Sequence, residues 1–198
     1  MIAIINYDAG NLASVSNALS RLDVDHIVTN KKAELGRAEG VVFPGVGHAK
    51  PAMESLRTNG LDRWIKQTDK PVLGICLGMQ LLYEASEEGN ARGLAIIPGT
   101  LKKFDASDSK VPHMGWNTFS ELKGTHPLVH GFDADHYFYY VHSYYAPLNK
   151  HTIASCRYTT EFASLVCKDN FMGVQFHPEK SGPAGARLLE NFMRICRT

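Results

Sequence analysis

Pro71-Val72-Leu73-Gly74-Ile75-Cys76-Leu77-Gly78-Met79-Gln80 is an apolar run that bends between two glycines and then takes up helical spacing. Residues 71–75 read as a strand buried on both faces. Residues 77–85, carrying Met79, Leu81 and Leu82, read as the helix that follows. A doubly buried strand that feeds a helix belongs to a parallel sheet covered on both sides. Toward the N-terminus the same alternation recurs. Residues 2–7 form a compact apolar strand, Asp8-Ala9-Gly10-Asn11 is a turn, and Asn11 caps a helix over 12–21 with Val15, Leu19 and Leu22 near helical spacing. Residues 24–28 and 40–43 read as further strands, the second cut off by Pro44-Gly45. A helical stretch follows, with Ala52, Met53 and Leu56 and then Leu61, Trp64 and Ile65. Beyond residue 100 the spacing shortens. Strands are expected at 100–104, 117–122, 137–145, 152–158, 162–167 and 171–176, some of them antiparallel, before a closing helix over 184–196. The fold class expected is α/β: one domain over residues 1–198, with a central mostly parallel sheet flanked by helices and an antiparallel extension in the second half.

The 198 residues are 44% hydrophobic and 21% charged, enough apolar material for a core that needs no metal or disulfide. Twenty-one Lys+Arg against twenty Asp+Glu leave a net charge of +1 and no electrostatic footprint for nucleic acid or an anionic membrane. The N-terminus carries no basic leader, and no apolar run approaches the ~18 residues of a spanning helix. Cys76, Cys156, Cys167 and Cys196 form no C-x-x-C pair, the usage of a reduced, cytoplasmic protein. The nine histidines form no H-E-x-x-H or paired Cys/His spacing, so neither a metal nor an organic cofactor is expected.

Gly74-Ile75-Cys76-Leu77-Gly78 has the strand–turn–helix setting of a nucleophile elbow. The glycines permit the bend, and a helix N-terminus at Cys76 favours the thiolate and offers N–H groups, Leu77 first, to an oxyanion. By itself the motif fits a buried structural cysteine equally well. Gln175-Phe176-His177-Pro178-Glu179-Lys180 supplies what such a cysteine needs: His177 as the base at a strand end, and Glu179 two residues on to orient it. Alone, that stretch reads as a loop with a capped helix start. Pro44-Gly45-Val46-Gly47 ends another strand and matches no phosphate-loop spacing. It is an ordinary turn or, beside the other two motifs, a second arm of an oxyanion hole at Val46, which Gly45 and Gly47 leave free to flip.

The ordered set Pro-Gly-Val-Gly, Gly-Ile-Cys-Leu-Gly-Met-Gln and Gln-Phe-His-Pro-Glu-Lys resembles the class I, or triad, glutamine amidotransferases over nearly the whole chain. Tyr7-Asp8-Ala9-Gly10-Asn11, Pro44-Gly45-Val46-Gly47-His48, Pro112-His113-Met114-Gly115-Trp116-Asn117 and Tyr140-Val141-His142-Ser143-Tyr144-Tyr145 look like the branch that serves imidazole glycerol phosphate synthases. The amidotransferases of anthranilate and aminodeoxychorismate synthases carry Pro-Gly-Pro-Gly instead. The resemblance implies that Cys76 attacks the glutamine side-chain amide, His177 relays protons and Glu179 orients it. It further implies oxyanion donors at Val46 and Leu77, and substrate binding by Gln80 and the backbone near Ser143 and Tyr144. Ammonia would pass to a (βα)₈-barrel cyclase subunit in a heterodimer of histidine biosynthesis. A glutaminase for another synthase, a stand-alone thiol hydrolase of the same fold and a catalytically silent binding subunit are the alternatives. His48 is a candidate hydrogen-bond partner of the glycine loop, and His126, His130 and His136 read as solvated. Tyr139 and Trp116 are candidate partner contacts, and Cys156, Cys167 and Cys196 read as packing.

Overall fold

The computed structural model describes residues 1–7, 11–107, 109–123 and 125–197. Asp8, Ala9 and Gly10, where the sequence suggests a turn, therefore lie outside the described residues. In chain order the first elements are β1 (Ile2–Ile5), α1 (Leu12–Arg21), β2 (His26–Thr29), α2 (Lys32–Leu35), β3 (Gly40–Gly45), α3 (Ala49–Thr58), α4 (Leu61–Gln67), β4 (Val72–Cys76), α5 (Leu77–Leu81) and β5 (Tyr83–Ser86). There follow β6 (Ala91–Arg92), β7 (Ile97–Lys103), β8 (His113–Asn117), β9 (Glu121–Leu122), β10 (Phe138–His142) and β11 (Tyr144–Tyr145). The chain closes with β12 (Thr152–Arg157), β13 (Glu161–Lys168), β14 (Phe171–Val174) and α6 (Gly182–Cys196).

Every residue of β1, β3, β4 and β14 is buried, as their unbroken apolar runs require. They form the centre of an eight-stranded sheet of order β2-β1-β3-β4-β14-β13-β12-β9. Pairing is parallel from β2 through β14 and antiparallel from β14 to β9. This is the α/β architecture with an antiparallel extension that the sequence suggests. Alternation sorts the strand side chains into two layers. Ala3, Ile5, Val41, Phe43 and Val72 pack with Met53, Leu56, Leu61 and Ile65 of α3 and α4. Ile2, Ile4, Val42, Leu73 and Ile75 pack with Val15 and Leu19 of α1 and Leu188, Leu189 and Phe192 of α6. Asn11 caps α1 as expected, its side chain accepting from Ser14 N–H at 3.4 Å. Among the described residues no helix is long and apolar enough to cross a membrane.

Several elements depart from the sequence reading. The helix expected over 77–85 ends at Leu81, and Tyr83–Ser86 becomes a strand between β6 and β7. The carbonyls of Leu81, Leu82 and Tyr83 are taken by the N–H groups of Leu94, Ile96, Ile97 and Ala95, which removes them from any continued helix. β3 is not cut off before Pro44; it runs to Gly45 and pairs with β4 to its last residue. The single strand expected over 117–122 is two, β8 and β9, in different sheets. The run over 137–145 likewise divides into β10, in the two-stranded sheet with β8, and β11, in the four-stranded sheet of order β11-β7-β5-β6.

Candidate active site

Register brings the three motifs together. Gly45, the last residue of β3, lies opposite Cys76, the last residue of β4, and Val174 at the end of β14 lies opposite Ile75. Three parallel strands therefore end side by side, where the carboxyl ends of an open α/β sheet form a crevice. The turn at Cys76 is sharp, with φ +52° and ψ −109°, a conformation side-chain-bearing residues rarely adopt. Its neighbours explain how it is held. A Cβ on Gly78 would lie 1.8 Å from the Phe43 carbonyl oxygen, and one on Gly74 would lie 2.7 Å from the Met79 nitrogen. Only glycine lets α5 press this closely onto β3 and β4.

Cys76, His177, Val46, Gly47, Leu77, Gln80, Ser143 and Tyr144 line one cavity of about 290 Å³. His177 Nδ1–H donates to Glu179 Oε1 at 2.8 Å, and both side chains are 2% exposed. That bond leaves Nε2 as the nitrogen for the thiol, and Nε2 makes no hydrogen bond among the described residues. Burial alone would lower the His177 pKa. The nearby Cys76 sulfur and its charge, with the hydrogen bond and charge of Glu179, outweigh it and hold His177 up to about 10. The sulfur of Cys76 lies 3.8 Å from the Val141 carbonyl oxygen and accepts from Gln175 Nε2 at 3.7 Å.

The remaining expected residues sort as follows. Val46 is 38% exposed at the mouth and Leu77 is buried beside Cys76. Gly47 has φ +99°, with open space where a Cβ would stand. Gly45 is not in the cavity wall but packs against Gly78, Leu77 and the Tyr7 hydroxyl, which donates to the Pro44 carbonyl at 2.7 Å. Gln80 is buried, its Nε2 donating to the Tyr144 carbonyl and to Gln175 Oε1, each at 3.0 Å. His48 caps α3, accepting from Lys50 N–H, instead of bonding the glycine loop. His126 and His136 are half-buried and hydrogen-bonded rather than solvated, whereas His130 is exposed. Sequence reasoning did not single out Gln175. A usable signal was present: it stands two residues before His177, the spacing at which extended chain returns to the same face. It also passed over Tyr7, His113 and His142 as parts of the site's framework.

A strained cysteine at a helix start, a buried carboxylate–imidazole pair and a cavity between them together suit acyl transfer through sulfur. Comparison with known proteins gives the same direction. Residues 3–196 match the family Glutamine amidotransferase class-I. The chain is 48% identical over 196 residues to a Bacteroides fragilis protein named imidazole glycerol phosphate synthase subunit HisH, covering 98% of this chain and 99% of that one. It is 45% identical to the protein of the same name from Bacteroides thetaiotaomicron, with the same coverage. A crystal structure described as a glutamine amidotransferase superposes with a TM-score of 0.73 over 100% of both chains at 15% identity, a likeness of fold alone.

Proposed function

The chain belongs to the class-I glutamine amidotransferases, and on that footing we propose that it is the glutamine-hydrolysing subunit of an imidazole glycerol phosphate synthase in histidine biosynthesis. Near-complete alignment with proteins of that name at 44–48% identity supports the assignment. The observation that carries the chemistry is the shared cavity of Cys76 and His177, with Glu179 bonded behind the imidazole.

In the proposed mechanism the Cys76 proton rests on His177 Nε2, and the thiolate Sγ attacks the side-chain amide carbon of glutamine. The oxygen of the tetrahedral intermediate is held by the N–H groups of Val46 and Leu77. His177 returns its proton to the departing nitrogen, ammonia leaves, and a glutamyl thioester remains. Water, deprotonated by the same imidazole, attacks the thioester and releases glutamate and the Cys76 thiol. Cys76 and Glu179 stabilise the proton on His177 while the thiolate is present, and thioester formation removes the thiolate charge, which frees the imidazole to act as base toward water. Gln80, Ser143 and Tyr144 hold the amino-acid end of the substrate. Ammonia then passes to a (βα)₈-barrel cyclase subunit in a heterodimer, which uses it to form imidazole glycerol phosphate and aminoimidazole carboxamide ribotide. All four cysteines are free, which suits a reducing cytoplasm.

The test is a complex reconstituted with the cyclase and supplied with either glutamine or ammonium. Wild type should turn over with both. Val46→Pro deletes one N–H from the half-exposed loop. It should lose ~10²–10³ in glutamine-dependent rate, the cost of one oxyanion donor, while ammonium-dependent turnover persists. Undiminished glutamine hydrolysis in Val46→Pro would remove Val46 from the mechanism, and activity of a Cys76→Ala complex with glutamine would remove the thiol chemistry altogether.

A further inference from the structure

His113 and His142, outside the Cys76–His177–Glu179 set, are joined in a hydrogen-bonded chain whose direction is fixed at both ends. They are cross-strand partners on β8 and β10 and both are buried. Aromatic rings enclose them. Tyr158 and Tyr140 stack on His113 at 4.2 and 5.0 Å, and Phe104 and Phe162 lie 5.2 and 5.1 Å from His142. At one end His142 Nδ1 lies 2.8 Å from the Tyr144 carbonyl oxygen. A carbonyl oxygen only accepts, so Nδ1 carries the hydrogen. At the other end Asn117 Oδ1 accepts from Thr118 N–H at 2.8 Å, which turns Nδ2 toward His113 Nε2 at 3.3 Å. An amide nitrogen only donates, so His113 Nε2 accepts. His113 Nδ1–H then donates to His142 Nε2, 3.0 Å away. With one hydrogen on each ring, every donor meets an acceptor. A second hydrogen on either ring would set two donors face to face. Burial asks for the same neutral rings, pushing His113 down to about 4 and His142 to about 3.

The carbonyl at the end of this chain is shared with the cavity. Gln80 Nε2 commits both its hydrogens, one to the Tyr144 oxygen and one to Gln175 Oε1. Gln80 therefore has its own carbonyl oxygen to offer a ligand. Gln175 Nε2 continues the network to Cys76 Sγ. We propose that His113 and His142 are positioning residues for glutamine: as a neutral pair they pin the Tyr144 carbonyl, and with it the Gln80 amide, in the orientation that accepts the substrate's amino-acid end. The assignment rests on the glutaminase reading above and deepens it. Among the described residues the pair hydrogen-bonds to none of Cys76, His177 and Glu179, so its effect falls on substrate affinity and not on bond making.

Two variants and one spectrum test this, with the chain in complex with its cyclase. His113→Phe keeps a ring in the aromatic enclosure and deletes the donor to His142. The KM for glutamine should rise about tenfold, the worth of one buried hydrogen bond, with kcat within about twofold. Ammonium-dependent turnover, which belongs to the partner, should stay at the wild-type level. Asn117→Ala leaves both imidazoles in place but frees the tautomer of His113, and should raise KM in the same sense by a smaller factor. Nitrogen-15 spectra of the wild-type protein labelled at histidine should show both rings neutral and protonated at Nδ1 at pH 7. Unchanged KM in both variants, or an Nε2-protonated ring at either position, overturns the assignment. So does a fall in kcat that matches the rise in KM, which would mark a merely structural role. An active wild-type complex with variants of unchanged KM overturns this pair alone, whereas a wild-type complex inert toward glutamine overturns the glutaminase reading as well.

Discussion

Cys76 shows how much a single backbone conformation demands of its neighbours. A non-glycine residue held in a sparsely populated region costs about 1–3 kcal/mol, and the surroundings must over-determine it. Here they do so through glycines whose missing side chains let α5 touch β3 and β4. Gly78→Ala would place a methyl group 1.8 Å from the Phe43 oxygen, so helix and strand must separate. Urea denaturation should register a loss of about 3 kcal/mol or more, at the upper end of overpacking costs. Titration supplies a second expectation at this scale. His113 and His142 are neutral in the fold, with pKa values of about 4 and 3 against 6.5 for a free imidazole. Between pH 6.5 and about 4 the unfolded chain binds more protons, so stability falls as the pH falls through that window. His177 has the opposite sign: its contribution is complete below pH 6.5 and is lost as pH rises through about 10. Denaturation midpoints measured from pH 7 to 4 should drop less steeply in His142→Asn than in wild type, by up to one proton's worth of slope. The proposed triad was legible as residue types at motif spacing. Gln175 was legible only as a residue two positions before His177 on extended chain; its role shows in the hydrogen bond to the Cys76 sulfur, which that spacing does not specify.

Elements divide more sharply into legible and illegible. The strands buried on both faces announced themselves as continuous apolar runs, and α1 announced its own start through Asn11. The stretch after Leu81 did not. Leu82 and Tyr83 continue an apolar pattern that suits either helix or strand, and carbonyls bonded by residues 94–97 decide for strand. The two-stranded sheet of β8 and β10 is a case where alternation reads correctly once the boundaries are known. Phe138, Tyr140 and His142 point inward with His113, while Met114 and Trp116 are 62% and 56% exposed. Tyr137, 58% exposed, stands just ahead of β10, and Tyr139 meets Trp116 edge to face and lies under Lys180. Exposed aromatics clustered beside the cavity suit a partner surface, where one such anchor is commonly worth about 2 kcal/mol or more. Trp116→Ala should weaken binding to the cyclase by roughly thirtyfold, measured by titration calorimetry, and leave the melting temperature of the isolated chain unchanged because the ring packs on no core.

At the scale of the whole molecule, the site is assembled from segments far apart in the chain: the end of β3, the elbow at Cys76, the run from Val141 to Tyr144, and the turn at His177. The sheet is the ruler that sets them, so core energetics and site geometry separate. Leu56 is fully buried in the layer of α3 and α4, away from the cavity wall. Leu56→Ala should cost about 2–5 kcal/mol by thermal or urea unfolding, while kcat per folded molecule stays the same well below the transition. The amino-acid sequence by itself determined the α/β class, the candidate thiol, imidazole and carboxylate of the proposed triad, and the elbow that carries the thiol. Apolar period, glycine placement and short-range motif spacing are local properties, and each is written in consecutive residues. Tertiary structure alone decided that Gly45 stands opposite Cys76, that the chain leaves the helix at Leu81, and that Gln80, Gln175, His113 and His142 join one network around the Tyr144 carbonyl. Register and side-chain hydrogen bonds between residues tens of positions apart depend on how layers pack. No single stretch of chain contains that information.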